Sequence, residues 1–392
     1  MKKIIMFTRS LPMHGLGGME VVAWDIAKSL ARLGCDIKII TTCTRDFRGL
    51  HVIDGIQINF IEGVRSGKYS RGWWEKSAQI FESKYGNECD YVFSVSTGAY
   101  GVIKRKDHYR NVRFVIQIHG TAWGEFLSKI RSRTARGLLT SPKNIFWMVK
   151  DVMNYHKFDK IISIGNQVSQ DLEKWPYRSV VDAKKIELIR NGIDNRLFSP
   201  TVEDTDTIRT KLRIPNDCRL IVTTCRLHAQ KGVANCIKTL KELSSEASYC
   251  YIVVGSGPEE ENLKKLSLEL GLAEKVIFTG SLKREEIAQL ERTCDLFLFL
   301  TDRVEGLPLN VLEAASAGLP IVLSEQVKLF DSESITLVKP REYKDNAKII
   351  ERILLKEKET NISYLPEEYT LDFTARKYLE AINQIMENEV VE

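Results

Sequence analysis

LFLFLTDRVEGLPLNVLEAASAGLPIVLS, residues 296–324, is the stretch whose order of textures decides the fold. An apolar run of strand length, LFLFL, is followed by a polar loop. Gly306 permits tight backbone geometry there, and Pro308 suits a first helical turn. A helical pattern runs to about Ala317, and Gly318-Leu319-Pro320 stops it. A second apolar run follows at once. Strand, helix and strand in so short a span read as a βαβ unit with parallel strands. The unit also carries two glutamates eight residues apart, Glu305 in the loop and Glu313 in the second helical turn.

The same alternation extends in both directions. In the first half the strand candidates are 3–7, 36–42, 56–61, 91–96, 113–119, 160–165 and 186–191, with helix-length segments such as 18–34 between them. Residues 191–217 are polar and turn-rich, which marks a domain boundary. The alternation restarts with strand candidates at 220–225, 251–255, 276–280, 296–300, 320–324 and 335–338. The expected fold class is therefore α/β, with two doubly wound parallel-sheet domains at 1–193 and 194–370 and a last helix at 371–392. A chain of 392 residues is long enough for both. Two such domains facing each other would leave a cleft. In open α/β sheets, ligands bind beyond the carboxyl ends of the strands, so the strand-to-helix loops should carry the chemistry.

Composition narrows the class. The chain is 43% hydrophobic and 28% charged, a globular balance. Its eight cysteines are scattered without a CxxC pair, which reads as reduced thiols in a cytosolic protein and gives no zinc site. The start, MKKIIMFTRS, has too short an apolar run for a signal peptide, and no apolar stretch is long enough to span a bilayer. The expectation is a cytoplasmic protein, peripheral at most on the inner membrane face. The net charge of +5 divides unevenly, with +13 on residues 1–190 and −8 on the remainder. That asymmetry suggests an anionic partner or surface for the first half, and nothing points to nucleic acid.

Four loops stand out. After the strand LIVTTC, Arg226 and Lys231 precede a helix that starts near Val233, a guanidinium and an ammonium suited to a diphosphate. Glu305 and Glu313 flank the free N–H groups of a helix N-terminus, an anion site with a hydroxyl acceptor on either side. The same two residues also fit plain roles as a cap neighbour and a surface carboxylate. Gly15, Gly17 and Gly18 follow the first strand without the GxGxxG spacing of a dinucleotide site. His119 closes the strand RFVIQIH, where a lone histidine is as readily structural. Two lookalikes are set aside. Gly255-Ser256-Gly257 is followed by acidic residues that would repel phosphate at a helix start. Asp204-Thr205-Asp206 lies in the boundary stretch, where aspartate caps helices.

Taken in order, these pieces resemble the retaining glycosyltransferases of family 4, which have the GT-B fold. The resemblance is carried by Gly17-Gly18-Met19-Glu20, Ile118-His119-Gly120, Asn191-Gly192-Ile193-Asp194, Arg226 with Lys231-Gly232, Gly255-Ser256-Gly257-Pro258, Phe278-Thr279-Gly280 and the Glu305/Glu313 pair. It spans nearly the whole chain and is weakest over 70–190. It implies a sugar carried from a nucleotide diphosphate sugar, UDP most readily, to a saccharide or lipid-linked acceptor, in synthesis of a bacterial-type surface polysaccharide or glycoconjugate. Residue by residue, it implies that Gly17 and Gly18 approach the donor diphosphate and that Arg226 and Lys231 neutralise it. Glu305 would contact the donor sugar, with Gly306, Leu307 and Pro308 placing it. Glu313 would bind the ribose, Ser281 and Leu282 would hold the base, and His119 would approach the transferred sugar. The C-terminal helix would cross back to the first domain. No cofactor and no metal is implied. A sugar-nucleotide epimerase, or a non-catalytic sugar-nucleotide binder, remains as the alternative.

Acceptor and membrane contacts are read from charge. RSGKYSRGWWEK (65–76) interleaves Arg65, Lys68 and Arg71 with Trp73 and Trp74, and a second basic run includes Arg131 and Arg133. Cations beside tryptophans suit a headgroup zone. Glu20 is assigned to the acceptor side.

Overall fold

The computed structural model describes the chain except residues 16, 87, 132–134, 202–205, 213, 216, 245–247, 304, 306, 328, 358, 360–361 and 391–392; it also leaves undescribed the side chains of 128–131, 135–142, 206–207 and 386–390. The chain divides into two compact units, Met1–Gly192 with Leu371–Glu392, and Ile193–Thr370.

The first unit begins β1 (Lys3–Phe7), α1 (Gly18–Arg32), β2 (Asp36–Thr42), β3 (Gly49–Ile53), β4 (Ile56–Ile61), α2 (Arg71–Lys84) and β5 (Tyr91–Val95). It continues with β6 (Arg113–Ile118), α3 (Ala122–Arg131), α4 (Ala135–Tyr155), β7 (Lys160–Ser163), α5 (Asn166–Leu172) and β8 (Ile186–Leu188). The sheet order is β3-β4-β2-β1-β5-β6-β7-β8. Every pairing is parallel except that of β3 with β4, an antiparallel edge. Sequence reasoning missed β3 because Gly49, Leu50 and Val52 are exposed and show no buried run. The central strands are buried on both faces, which is why IIMF and YVFSV read as continuous apolar runs.

The second unit holds α6 (Asn195–Phe198), α7 (Asp206–Leu212), β9 (Arg219–Thr224), α8 (Val233–Lys241), β10 (Tyr249–Val254), α9 (Glu260–Glu269) and β11 (Val276–Gly280). It is completed by α10 (Arg284–Thr293), β12 (Leu296–Phe299), α11 (Leu309–Ser316), β13 (Ile321–Ser324), β14 (Ile335–Val338) and α12 (Tyr343–Leu354). Its sheet is wholly parallel, in the order β11-β10-β9-β12-β13-β14. From β9 the chain builds outward through β10 and β11, then returns to the other side of β9 as β12. The β9/β12 junction is the point where strand order reverses, the place where doubly wound sheets have their ligand crevice, beyond the carboxyl ends. The polar stretch after residue 191 begins the second unit: Ile193 N donates to Tyr369 O at 3.0 Å, and Phe198 is fully buried.

The last helix, α13 (Leu371–Val390), packs on the first unit. Ala375, Tyr378, Ala381 and Ile382 are buried at helical spacing. The Tyr378 hydroxyl accepts from Gln117 Nε2 at 2.7 Å, beside the Phe93 ring. Among the described residues, no helix is long and apolar enough to cross a membrane.

Candidate active site

Two loops meet at the β9/β12 junction. The first, after β9, ends in a single turn at Ala229–Lys231 and then Gly232, whose φ is +73°. A Cβ at Gly232 would lie 1.9 Å from the Leu300 carbonyl oxygen, so only glycine lets this loop close against the end of β12. The Gln230 carbonyl then accepts from the Thr301 hydroxyl at 2.8 Å and from Asp302 N at 3.2 Å. With the loops stitched together, Lys231 Nζ sits 2.7 Å from Glu305 Oε1, and both side chains are largely buried. Lys231 also lies 5.7 Å from the Phe299 ring centre. Arg226 is exposed on the same loop.

Beyond Glu305 the chain enters α11, with Pro308 at its N-cap position and Glu313 in its second turn. Leu307 packs against the cluster around Phe198 and Leu312. Gly306 lies outside the described residues. Asn310 Nδ2 donates to the Thr224 carbonyl at 2.6 Å and ties the helix start to the end of β9. Glu313 Oε1 lies 3.6 Å from Arg284 Nη2, at the start of α10. Below this pair Glu291 is fully buried; Thr224 Oγ1 donates to its Oε1 at 3.4 Å, and its Oε2 has no partner. Burial, and then the charge of Glu313, hold the Glu291 carboxyl well above the ordinary range. Ser281, after β11, is exposed with its hydroxyl 2.9 Å from that of Ser256, and Leu282 packs on the core. Gly255 takes φ +128° with its Cβ position 1.9 Å from the Cys225 carbonyl oxygen, which seats the 255–257 turn beside the β9 loop.

Glu305, Lys231, Glu313, Arg226 and Ser281 thus all follow the carboxyl ends of strands in one sheet. Sequence reasoning missed Arg284 and Glu291. Arg284 opens a helix after a strand, the position at which the other candidates were sought. Glu291 sits at an inward position of α10, where a carboxylate breaks an apolar pattern.

The first unit has its own strand-end cluster. Gly17 caps α1 and Gly18 begins it, at the carboxyl end of β1. Glu20 Oε1 accepts from Ser10 Oγ at 2.9 Å. His119 follows β6, its Nε2 3.0 Å from Gln117 Oε1. Since Gln117 gives its amide hydrogens to Tyr378, its oxygen faces the ring and places the imidazole proton on Nε2. Burial, and secondarily the Arg9 charge, lower the His119 pKa to about 4. Arg9, not singled out in the sequence, closes β1 with its guanidinium 5.5 Å from the Tyr69 ring centre, and its Nε is buried without a partner. It was discoverable as a cation at a strand's carboxyl end.

The proposed membrane residues separate. Trp73 is 0% exposed, with Nε1 donating to the Gly98 carbonyl at 3.0 Å, so it is a core residue and not a membrane contact. Trp74 is half-buried, donates to the Thr97 carbonyl at 2.8 Å and stacks on Tyr100. The indole N–H groups are satisfied inside the protein, which is the reason the headgroup reading fails for Trp73. Arg65, Lys68 and Arg71 are exposed, and Arg71 pairs with Glu75 at 2.7 Å. Arg133, Asp204 and the side chains of Arg131 and Asp206 lie outside the described residues. Among the described residues, no three His, Cys, Asp or Glu side chains gather as a metal site.

Comparison with known proteins places this geometry. The family model "Glycosyltransferase Family 4" matches residues 16–197, and "Glycosyl transferases group 1" matches 204–364. An uncharacterized glycosyltransferase of Methanocaldococcus jannaschii is 22% identical over 82% of this chain and 80% of its own length. A UDP-Gal:alpha-D-GlcNAc-diphosphoundecaprenol alpha-1,3-galactosyltransferase of Escherichia coli is 29% identical, over 37% of this chain and 38% of that one. The solved structure of Anabaena HepE in complex with UDP-glucose superposes with a TM-score of 0.70 at 18% identity, covering 100% of both chains. The two family models divide at the junction of the two units and take in both sheets, and the chain belongs to the family 4 glycosyltransferases of GT-B fold.

Proposed function

We propose that this protein transfers a sugar from a UDP-sugar to a saccharide or lipid-linked acceptor with retention of anomeric configuration and without a metal ion. The observation that carries the reading is the Lys231–Glu305 pair at the β9/β12 junction. It puts a cation and a carboxylate side by side at the mouth of the crevice, beside the N-terminus of α11. A diphosphate entering there would meet Lys231, Arg226 and the helix N–H groups. The sugar would lie toward Glu305, and the ribose toward Glu313, with Arg284 holding that carboxylate. Ser281 and Leu282 would border the base. Gly17, Gly18 and His119 belong to the acceptor-side unit.

In this reading the bond from the anomeric carbon to the diphosphate oxygen breaks as positive charge stabilises the departing phosphate. The acceptor oxygen bonds to the same face of that carbon, and its proton passes to a leaving-phosphate oxygen. His119 is neutral at pH 7 and contributes hydrogen bonding rather than charge. The name of the E. coli relative supports both UDP and a lipid diphosphate acceptor. The test is incubation with radiolabelled UDP- and GDP-sugars, with and without EDTA, against lipid-linked and free saccharides. The anomeric configuration of the product is then read by NMR. Transfer from a UDP-sugar in EDTA with retained configuration is the expected result. Inverted product, activity restored only by added metal, or epimerised donor without transfer would overturn it.

A further inference from the structure

α4 packs Met148, Val152 and Tyr155 on the apolar core of the first unit, and beside them it buries the polar side chains Asn144, Asp151 and Asn154. Asn144 Nδ2 donates to Glu125 Oε2 at 3.0 Å, Asp151 Oδ1 accepts from the Tyr100 hydroxyl at 2.7 Å, and Asn154 Nδ2 donates to the Lys150 carbonyl at 2.6 Å. It also leaves large apolar side chains on the surface: Ile145, Phe146, Val149 and Met153 are 43%, 57%, 48% and 62% exposed. Spacings of three and four residues align them in one stripe. A contiguous apolar stripe on a surface marks a contact with something apolar.

Beside the stripe, a cavity of about 460 Å³ is lined by Arg71, Trp74, Glu75, Lys104, Arg105 and Lys150, among others. Arg71 and Arg105 are paired with Glu75 and Glu82. Lys104 and Lys150 have no carboxylate partner among the described residues. Lys150 joins the two features: its Nζ lies 4.3 Å from the Trp74 ring centre and 4.7 Å from that of Phe146. Burial and the Lys104 charge together press the Lys150 pKa down, a strain that a bound anion would relieve.

We propose that this face of the first unit docks on an anionic phospholipid bilayer, with a headgroup phosphate in the cavity against Lys104 and Lys150 and the stripe from Ile145 to Met153 at the acyl boundary. A phosphate held directly beside exposed apolar side chains is the chemistry of a lipid surface. A free phosphate would leave the stripe unexplained. A second copy seated on it by a twofold axis would bring the cations of both copies together. The proposal rests on the lipid-linked acceptor reading for its purpose, but attachment is measured without turnover.

The experiment is co-sedimentation of the full chain with vesicles of phosphatidylcholine alone, or mixed with phosphatidylglycerol. Three proteins are compared: wild type, Lys104→Ala/Lys150→Ala and Phe146→Ser/Met153→Ser. Wild type should pellet with the mixed vesicles only, and each variant should lose at least about tenfold in partition. High salt should weaken wild-type binding. The melting shift produced by UDP should be the same in all three, since the changed residues lie in the first unit; this separates loss of docking from loss of fold. Binding that ignores lipid charge, or variants that partition like wild type, would overturn the proposal. So would glycerol phosphate raising the melting temperature without vesicles, or a dimer dissolved by Phe146→Ser/Met153→Ser. Vesicle binding without any response to UDP would leave the proposal standing and remove the transferase reading; a response to UDP without vesicle binding would do the reverse.

Discussion

Lys231 Nζ and Glu305 Oε1 meet at 2.7 Å across two loops that are 74 residues apart in sequence. Each charge would be costly to leave unpaired at this depth, so each side chain holds the other in place. In the proposed function, an incoming diphosphate would share the ammonium and release the carboxylate toward sugar hydroxyls, and the pair would be the resting state of both groups.

Lys231→Ala should lower kcat/KM at least about a hundredfold, the scale of losing one preorganised charge partner of a leaving group. It should also leave Glu305 unpaired and reduce stability by about 1–3 kcal/mol. Adding Glu305→Gln should return much of that stability and none of the turnover. Steady-state kinetics and chemical denaturation of both variants check this. Near-normal turnover in folded Lys231→Ala would remove the diphosphate assignment.

The buried acid Glu291 gives a pH signature of one sign. Its folded pKa is raised, so its contribution to stability is full below the unfolded glutamate value and is lost as pH rises through the folded value. Glu291→Gln keeps the shape and removes the titration. The variant should match wild type near pH 4 and melt higher than wild type at pH 8. Melting curves across that range decide it; a constant difference at all pH values would show that Glu291 is not held neutral.

His119 gives the opposite sign. Its folded pKa of about 4 lies below the ordinary histidine value of 6.5. Its contribution is present above that ordinary value and is lost as pH falls through about 4. His119→Asn should melt less steeply with falling pH than wild type between these limits. Titration of the His119 ring by NMR should find it neutral throughout the neutral range, and a protonated ring at pH 6 would contradict the neutral role.

Most strands of both sheets were legible because parallel strands buried on two faces read as apolar runs, as in LFLF and YCYIVV. Their carboxyl ends were legible with them, so Lys231, Glu305 and Glu313 were found by position. The Lys231–Glu305 contact itself was not, since it depends on Gly232 closing one loop on the end of another strand. Arg284 and Glu291 were hidden in a helix whose polar surface, REEIAQLERT, conceals which residue points inward. Trp73 was misread because a tryptophan beside basic residues looks the same whether its ring turns to solvent or to the Gly98 carbonyl. The exposed edge strand Gly49–Ile53 lacks a buried run, and its one local sign, the Asp54-Gly55 pair that turns it into β4 with φ of +50° and +78°, went unread.

Gly232→Ala tests how the site is built rather than what it binds. The substitution places a Cβ 1.9 Å from the Leu300 carbonyl oxygen, a backbone atom that cannot step aside, and at a φ of +73° that alanine disfavours. The loop must lift, and its hydrogen bonds from Thr301 and Asp302 to the Gln230 carbonyl are lost with it. Lys231 would then withdraw from Glu305. The expected outcome is a loss of more than about 1 kcal/mol in stability, from the strained backbone alone. UDP binding should weaken in parallel, although the changed residue bears no charge. Calorimetric titration of UDP into Gly232→Ala and Gly271→Ala makes the comparison. Gly271 shares a positive φ of +71° but meets nothing within 4 Å, so its substitution carries the backbone strain without the collision. Equal UDP affinity in the two variants would show that loop closure against β12 does not position Lys231.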